Sequence, residues 1–193
     1  MPGEEVTFYS GGCAIAGTFT EAADPVAAAL LGPGGGKSDR NSDARLPGGR
    51  MLRIGADKAI AGARAGARVC ALRYDKRGVG ASGGEYLRAG MDNRRAGARA
   101  ALGWLTARAG GLPLLAIGHS EGAWYAAELA ADHAVAGAVL LTGGAARRGD
   151  PVLADRDGRR PAAPYSQDDP EDHPHRHHPH PAQAGGPHFC IHR

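Results

Sequence analysis

Apolar and polar positions along the chain fall into two regimes. From residue 1 to about 147, short apolar runs alternate with longer amphipathic segments; beyond that, Pro, His, Asp and Arg dominate and periodicity vanishes. In the first regime Val6–Tyr9 and Cys13–Phe19 flank Gly11-Gly12, the pattern of a β-hairpin. Pro25 then introduces the continuous apolar run Val26–Leu31, stopped by Gly32-Pro33-Gly34-Gly35-Gly36, which fits a strand buried on both faces. Residues 49–65 carry a helix-like pattern through Met51, Leu52, Ile54, Ala59 and Ile60, and Val69–Leu72 is the next buried strand. Residues 91–109 give the clearest helix, with Ala98, Ala101, Leu102 and Leu105 at helical spacing. Pro113–Ile117 reads as a strand, Ser120–Ala131 as a helix and Val135–Leu141 as the last strand.

Strand and helix thus alternate after an antiparallel opening. That order implies βαβ units with right-handed crossovers and a mostly parallel sheet. The expected class is α/β: a mostly parallel sheet with an antiparallel N-terminal hairpin, helices on both faces, and a break after about the sixth strand. Residues 1–147 form the expected domain and 148–193 a Pro/His-rich, disordered tail. A length of 193 residues suits one domain with a real core. Aromatics are only 5% while glycine alone numbers 31, so that core should be finely packed rather than built on large rings.

Charge changes the picture little. The net charge of +3 is spread as isolated residues and pairs such as Arg94-Arg95, without the basic stripe and stacking aromatics of a nucleic-acid surface. No nucleic-acid partner is expected. Cys13, Cys70 and Cys190 are far apart and form no Cys-x-x-Cys pair; Cys13 and Cys70 read as small buried hydrophobes. The acidic start Glu4-Glu5 and the lack of any run of about 20 apolar residues argue against a signal peptide or a membrane span, so the expected setting is cytoplasmic with no membrane partner.

The motif that carries chemistry is Gly118-His119-Ser120-Glu121-Gly122. A nucleophile must be unhindered, rigidly held and close to backbone donors. G-x-S-x-G achieves this at a strand-to-helix turn so sharp that side chains two before and two after the serine would clash. Leu114-Leu115-Ala116-Ile117 supplies the strand and Ala123–Leu129 the helix, so Ser120 is the candidate nucleophile. The oxyanion hole should use the N–H of Glu121 and a second donor from the loop after the third strand, Gly35 first and Gly34 next. The neighbouring His119 should point away from Ser120 and pack or hydrogen-bond locally.

Two other glycine patterns compete. The run Gly34-Gly35-Gly36-Lys37-Ser38 looks like a phosphate-binding P-loop, but the spacing requires glycine where Leu31 stands. Gly78-Val79-Gly80-Ala81-Ser82-Gly83 matches the dinucleotide fingerprint, yet a Rossmann turn should join strand to helix directly. It reads as a surface loop.

With these residues in hand, the chain resembles bacterial α/β hydrolases of the dienelactone-hydrolase and serine-aminopeptidase-like group. The resemblance rests on four segments spanning about residues 5–147: the glycine loop running into Ser38-Asp39-Arg40-Asn41, Leu72–Ser82 with its Asp75-Lys76-Arg77-Gly78, the Ser120 pentapeptide, and Gly137–Leu141. It implies hydrolysis of ester, thioester or peptide bonds in a small-molecule substrate through an acyl-enzyme, with no cofactor or metal. It also implies an acid and then a histidine base on later strand ends.

Those later strand ends are not visible. His133 should lie on the surface after the nucleophile helix, and seven histidines (His173, His175, His177, His178, His180, His188 and His192) fall in the tail. The tail has three readings: a disordered extension, a loose Zn²⁺- or Ni²⁺-capturing histidine tract, or the product of a shifted reading frame, given the abrupt change near Arg147–Pro151. The expected function is therefore a serine hydrolase of ester or acyl bonds impaired by missing acid and base; the alternatives are an inert or ligand-binding remnant and a P-loop nucleotide binder. A sheet stopping at Leu141 would also leave an unpaired edge.

Overall fold

The computed structural model describes residues 3–141 and 191–192. The chain opens with β1 (Glu4–Ser10) and β2 (Cys13–Thr20), antiparallel and in register from Glu4 opposite Phe19 to Ser10 opposite Cys13. Gly11 and Gly12 both take positive φ at this turn, which is what a two-residue hairpin loop demands and what glycine alone supplies without strain. β3 (Ala27–Gly32) follows, with all six residues buried, in accord with its uninterrupted apolar run.

The next segment departs from expectation. The helix-like pattern from residue 49 becomes helix α1 only at Ala56–Gly66. Before it, β4 (Ala44–Arg45) and β5 (Met51–Leu52) make a short antiparallel ribbon around a 3₁₀ turn at Pro47–Gly49. Gly48, Gly49 and Gly55 all have positive φ, and these left-handed residues break the helix that the apolar spacing suggests. Met51, Leu52 and Ile54 are exposed as a result.

From there the alternation is regular: β6 (Val69–Tyr74), α2 (Met91–Ala109), β7 (Leu114–His119), α3 (Glu121–Ala131) and β8 (Gly137–Leu141). A two-residue strand, β9 (Ile191–His192), pairs antiparallel with Ala138 and Val139 of β8. The sheet order is β1-β2-β6-β3-β7-β8-β9. Its β6-β3-β7-β8 centre is parallel, and both flanks are antiparallel. The expected bare edge at β8 is thus covered over two residues. The expected 148–193 tail, its histidine tract and Cys190 lie outside the described residues, apart from the backbone of β9.

Helices cover both faces. α2 and α3 pack over Phe8, Ile15, Phe19, Leu30, Leu72 and Tyr74, with Leu102, Leu105, Tyr125 and Leu129 from the helices. Among the described residues α1 covers the other face, over Ala29, Leu31, Ala71 and Ile117. Alanine fills the sheet centre as expected. Large rings nonetheless meet on the first face, with Phe8 edge-on to Tyr74 at 6.3 Å and Phe19 edge-on to Trp104 at 5.6 Å. Cys70 is buried, whereas Cys13 is only half-buried. No helix among the described residues is long and apolar enough to cross a membrane.

Candidate active site

Ser120 sits between the end of β7 and the start of α3 with φ +53° and ψ −115°, a backbone conformation costing about 1–3 kcal/mol that persists only where the surroundings impose it. Three glycines impose it. A Cβ on Gly118 would lie 2.1 Å from the carbonyl oxygen of Gly122, and one on Gly122 would lie 2.1 Å from that of Gly32. The ends of β3 and β7 and the first turn of α3 therefore meet backbone to backbone, and Ser120 is pushed out to an exposed position. Gly32 is a member of this contact that the pentapeptide alone does not reveal; β3 pairs with β7 there, Gly32 opposite Gly118.

The amide of Ser120 donates to the Leu141 carbonyl at 2.9 Å, so it is committed to the sheet. The amide of Glu121, first residue of α3, has no intrahelical acceptor and carries the positive end of the helix dipole. Glu121's carboxylate is turned to other work. It accepts from Arg94 Nη1 at 3.0 Å through both oxygens and from the Tyr125 hydroxyl at 2.8 Å. Arg94 also lies 4.8 Å from the centre of the Tyr86 ring.

Gly34 and Gly35 approach this turn from the β3 loop. A Cβ on Gly34 would come 2.9 Å from His119 Nδ1, and one on Gly35 would come 3.3 Å from Glu121 Oε2. Neither has positive φ, so space is what counts: a Cβ on Gly34 would force the His119 ring to shift, whereas one on Gly35 would ask only a few tenths of an ångström of the Glu121 carboxylate. Lys76, only 4% exposed, donates its ammonium to the Gly34 carbonyl and so ties the β3 loop to the loop after β6. Burial pushes Lys76 down to about 8, against the attraction of Glu121. Sequence reasoning assigned Lys76, Arg94 and Tyr86 no role; the signal for Lys76 was its place in the Asp75-Lys76-Arg77-Gly78 segment.

That segment also adds to an expectation. The Gly78–Gly83 stretch is exposed from Gly80, but it is anchored by buried groups: Val79, Lys76 and Asp75, whose carboxylate accepts from the amides of Arg40 at 2.7 Å and Ala81 at 2.9 Å. It is a surface loop whose buried root ties the β3 loop to the sheet. Gly80 has room for no Cβ, which would lie 2.2 Å from Asp75 Oδ2.

The histidines divide. His119 lies on the α1 side of β7, as its pairing in register with Leu141 beside Ile117–Val139 requires, and so points away from the site. It does not hydrogen-bond through Nδ1, which is buried without a partner, because Gly34 packs directly against it. His133 is exposed beyond the far end of α3, about 18 Å of helix rise from Ser120. Among the described residues no histidine hydrogen-bonds Ser120. The tail histidines, base candidates by residue type alone, lie outside the described residues, His192 as regards its side chain.

An antiparallel pair leading into a β6-β3-β7-β8 parallel run, with a strained serine at the turn after β7, is a specific combination of topology and geometry. Solved structures share the fold. An α/β hydrolase from Penicillium sp. sh18 matches with a TM-score of 0.58 and 22% identity over 87% of this chain and 60% of its own. A lidless a/b serine hydrolase from Xanthomonas campestris matches with a TM-score of 0.57 and 16% identity over 77% and 64%. A dienelactone hydrolase from Anabaena variabilis matches with a TM-score of 0.56 and 19% identity over 74% and 65%. The chain has the α/β-hydrolase fold. It spans less than two thirds of the length of each of these α/β-hydrolase neighbours. No family model and no curated protein matches its sequence.

Proposed function

We propose that Ser120 is the nucleophile of a serine-hydrolase site for ester or acyl bonds in a small-molecule substrate, and that this chain turns over slowly because nothing in residues 3–141 acts as its base. The observation that carries the proposal is the exposed Ser120 at φ +53°, held between Gly118 and Gly122 at a helix N-terminus. In such a site the Oγ attacks the carbonyl carbon, and the amide of Glu121 receives the oxyanion. Gly34 and Gly35, braced by Lys76, supply the second donor. The α/β-hydrolase fold of the neighbours supports this chemistry, as does the acyl class implied by the sequence resemblance. No cofactor, nucleic acid or membrane enters this proposal.

Attack also needs a base to take the serine proton and an acid to orient it. Where both are lacking, binding and oxyanion stabilisation are what remain, and turnover falls by about 10⁶ in comparable chemistry. An inert, ligand-binding remnant is the second reading, favoured by His119 turning to the α1 side of β7 and by His133 lying beyond the far end of α3. A fluorophosphonate probe and p-nitrophenyl acetate, applied to the full chain and to Ser120→Ala, decide between them. Slow labelling lost in Ser120→Ala is expected. Rapid labelling would reveal a working base and overturn the impairment; no labelling above the variant would favour the remnant.

A further inference from the structure

The α1 face of the sheet holds a cavity, at the antiparallel end and away from Ser120. Register builds it. Glu5 stands opposite Thr18, Thr18 opposite Arg73, and Arg73 opposite Leu31, so one cross-strand row runs from polar to apolar as it enters the parallel core. Side chains of that row share one face. Under it lies a cavity of about 540 Å³ lined by Glu5, Thr18, Thr20, Arg40, Lys58 and Arg73, within the size range of small-molecule sites.

Arg73 is the unusual member. It is 6% exposed, its Nε is buried without a hydrogen-bond partner, and its Nη1 donates only to the neutral side-chain oxygen of Asn41. Among the described residues no carboxylate forms an ion pair with it, although Asp57, Glu5 and Asp39 attract it from further away. Buried guanidinium groups are ordinarily paired, because an unpaired one bears the full cost of desolvation. Burial, and then the neighbouring Arg40, both press against its charge. Arg40 is already committed, to Glu5 at 2.9 Å and Asp75 at 3.2 Å. With Glu5 and Asp75 both set against Arg40, Arg73 and Lys58 are the lining's two cations without an ion pair among the described residues.

We propose that this cavity binds a small-molecule phosphate monoester, whose dianion supplies the counter-charge that Arg73 lacks. Two charges on the ligand match these two unpaired cations, and its oxygens suit the fork of Arg73, the ammonium of Lys58 and the Thr20 hydroxyl. This site is independent of the chemistry proposed at Ser120.

Calorimetric titration of the full chain with glycerol 2-phosphate, at constant ionic strength set with chloride, tests it. The wild type should bind, Arg73→Met should weaken binding by at least about tenfold, and Lys58→Ala by about threefold to fivefold, the scale of losing one charge-assisted contact. Ser120→Ala should bind as the wild type does. Removing an unpaired buried charge should leave the fold intact; if Arg73→Met nevertheless unfolds, Arg73→Lys, which keeps charge but loses the fork, takes its place with the same weakening expected. Absence of wild-type binding, retention of full affinity in both the Arg73 and Lys58 variants, or binding of citrate in preference to the phosphate ester would overturn the proposal.

Discussion

The two faces of the sheet are built to different standards. Beneath α2 and α3, Phe8, Phe19, Tyr74, Tyr125, Leu102 and Leu105 form one continuous apolar cluster. Beneath α1 the apolar cluster is small, made chiefly of Ala29, Leu31, Ala61, Ala71 and Ile117, and gives way across β6 and β2 to Arg73, Thr18 and Thr20. The same strands feed both, because alternate residues point to opposite faces. One face can therefore hold the fold while the other carries buried charge that a uniformly packed core would reject.

The most severe test of that contrast is a matched pair of cavities. Leu105→Ala, on the α2 face, should cost about 4 kcal/mol, near the upper part of the range for a rigid interior. Leu31→Ala, next to Arg73 in register, should cost only about 2–3 kcal/mol, because the void can open toward the polar cavity and admit water. Urea denaturation of both variants checks this; equal losses would mean that the two faces are equally packed.

A smaller effect separates stability from reactivity at Lys76. Its folded-state value of about 8 lies below the ordinary lysine value of 10.5, so between those pH values the unfolded chain holds a proton that the folded chain has released. Stability therefore rises with pH through this window, and the cost of the buried ammonium is present in full below it. Relative to Lys76→Met, the wild type should gain up to about 3 kcal/mol between pH 8 and pH 10.5. Fluorophosphonate labelling of Ser120 should be about tenfold slower in Lys76→Met at pH 7, since the Gly34 loop loses its tie. A flat stability difference across the window would remove the charge of Lys76 from the account.

The least effect is expected where charge meets solvent. Arg99 and Asp132 join α2 to the end of α3 at 2.7 Å, but both side chains are more than half exposed. Arg99→Ala should change stability by less than about 0.5 kcal/mol, and the residual effect should vanish in high salt. A loss comparable to that of Leu31→Ala would show that the α2 face owes its strength to surface ion pairs as well as to packing.

How much of this was legible depended on the range of the forces involved. The turn at Ser120 could be read from five residues because the steric demand of G-x-S-x-G is local, and Met91–Ala109 could be read because its apolar stripe repeats within one helix. Residues 49–65 misled because Met51, Leu52 and Ile54 keep helical spacing while Gly48, Gly49 and Gly55 take left-handed conformations that stop the helix. The role of Lys76 was hidden because its partner, the Gly34 carbonyl, is a backbone group 42 residues away.

By itself the sequence determined the alternation of buried strands and helices, the hairpin at Gly11-Gly12 and the glycine-flanked position of Ser120, all consequences of local sterics and of apolar periodicity. Tertiary structure decided which strands became neighbours, and through them that Glu5, Thr18 and Arg73 share one polar row, that Gly32 closes on Gly122, and that β9 lies against β8. Those outcomes depend on pairing residues far apart in the chain, where the gain comes from the whole packed sheet and no single segment carries its signal.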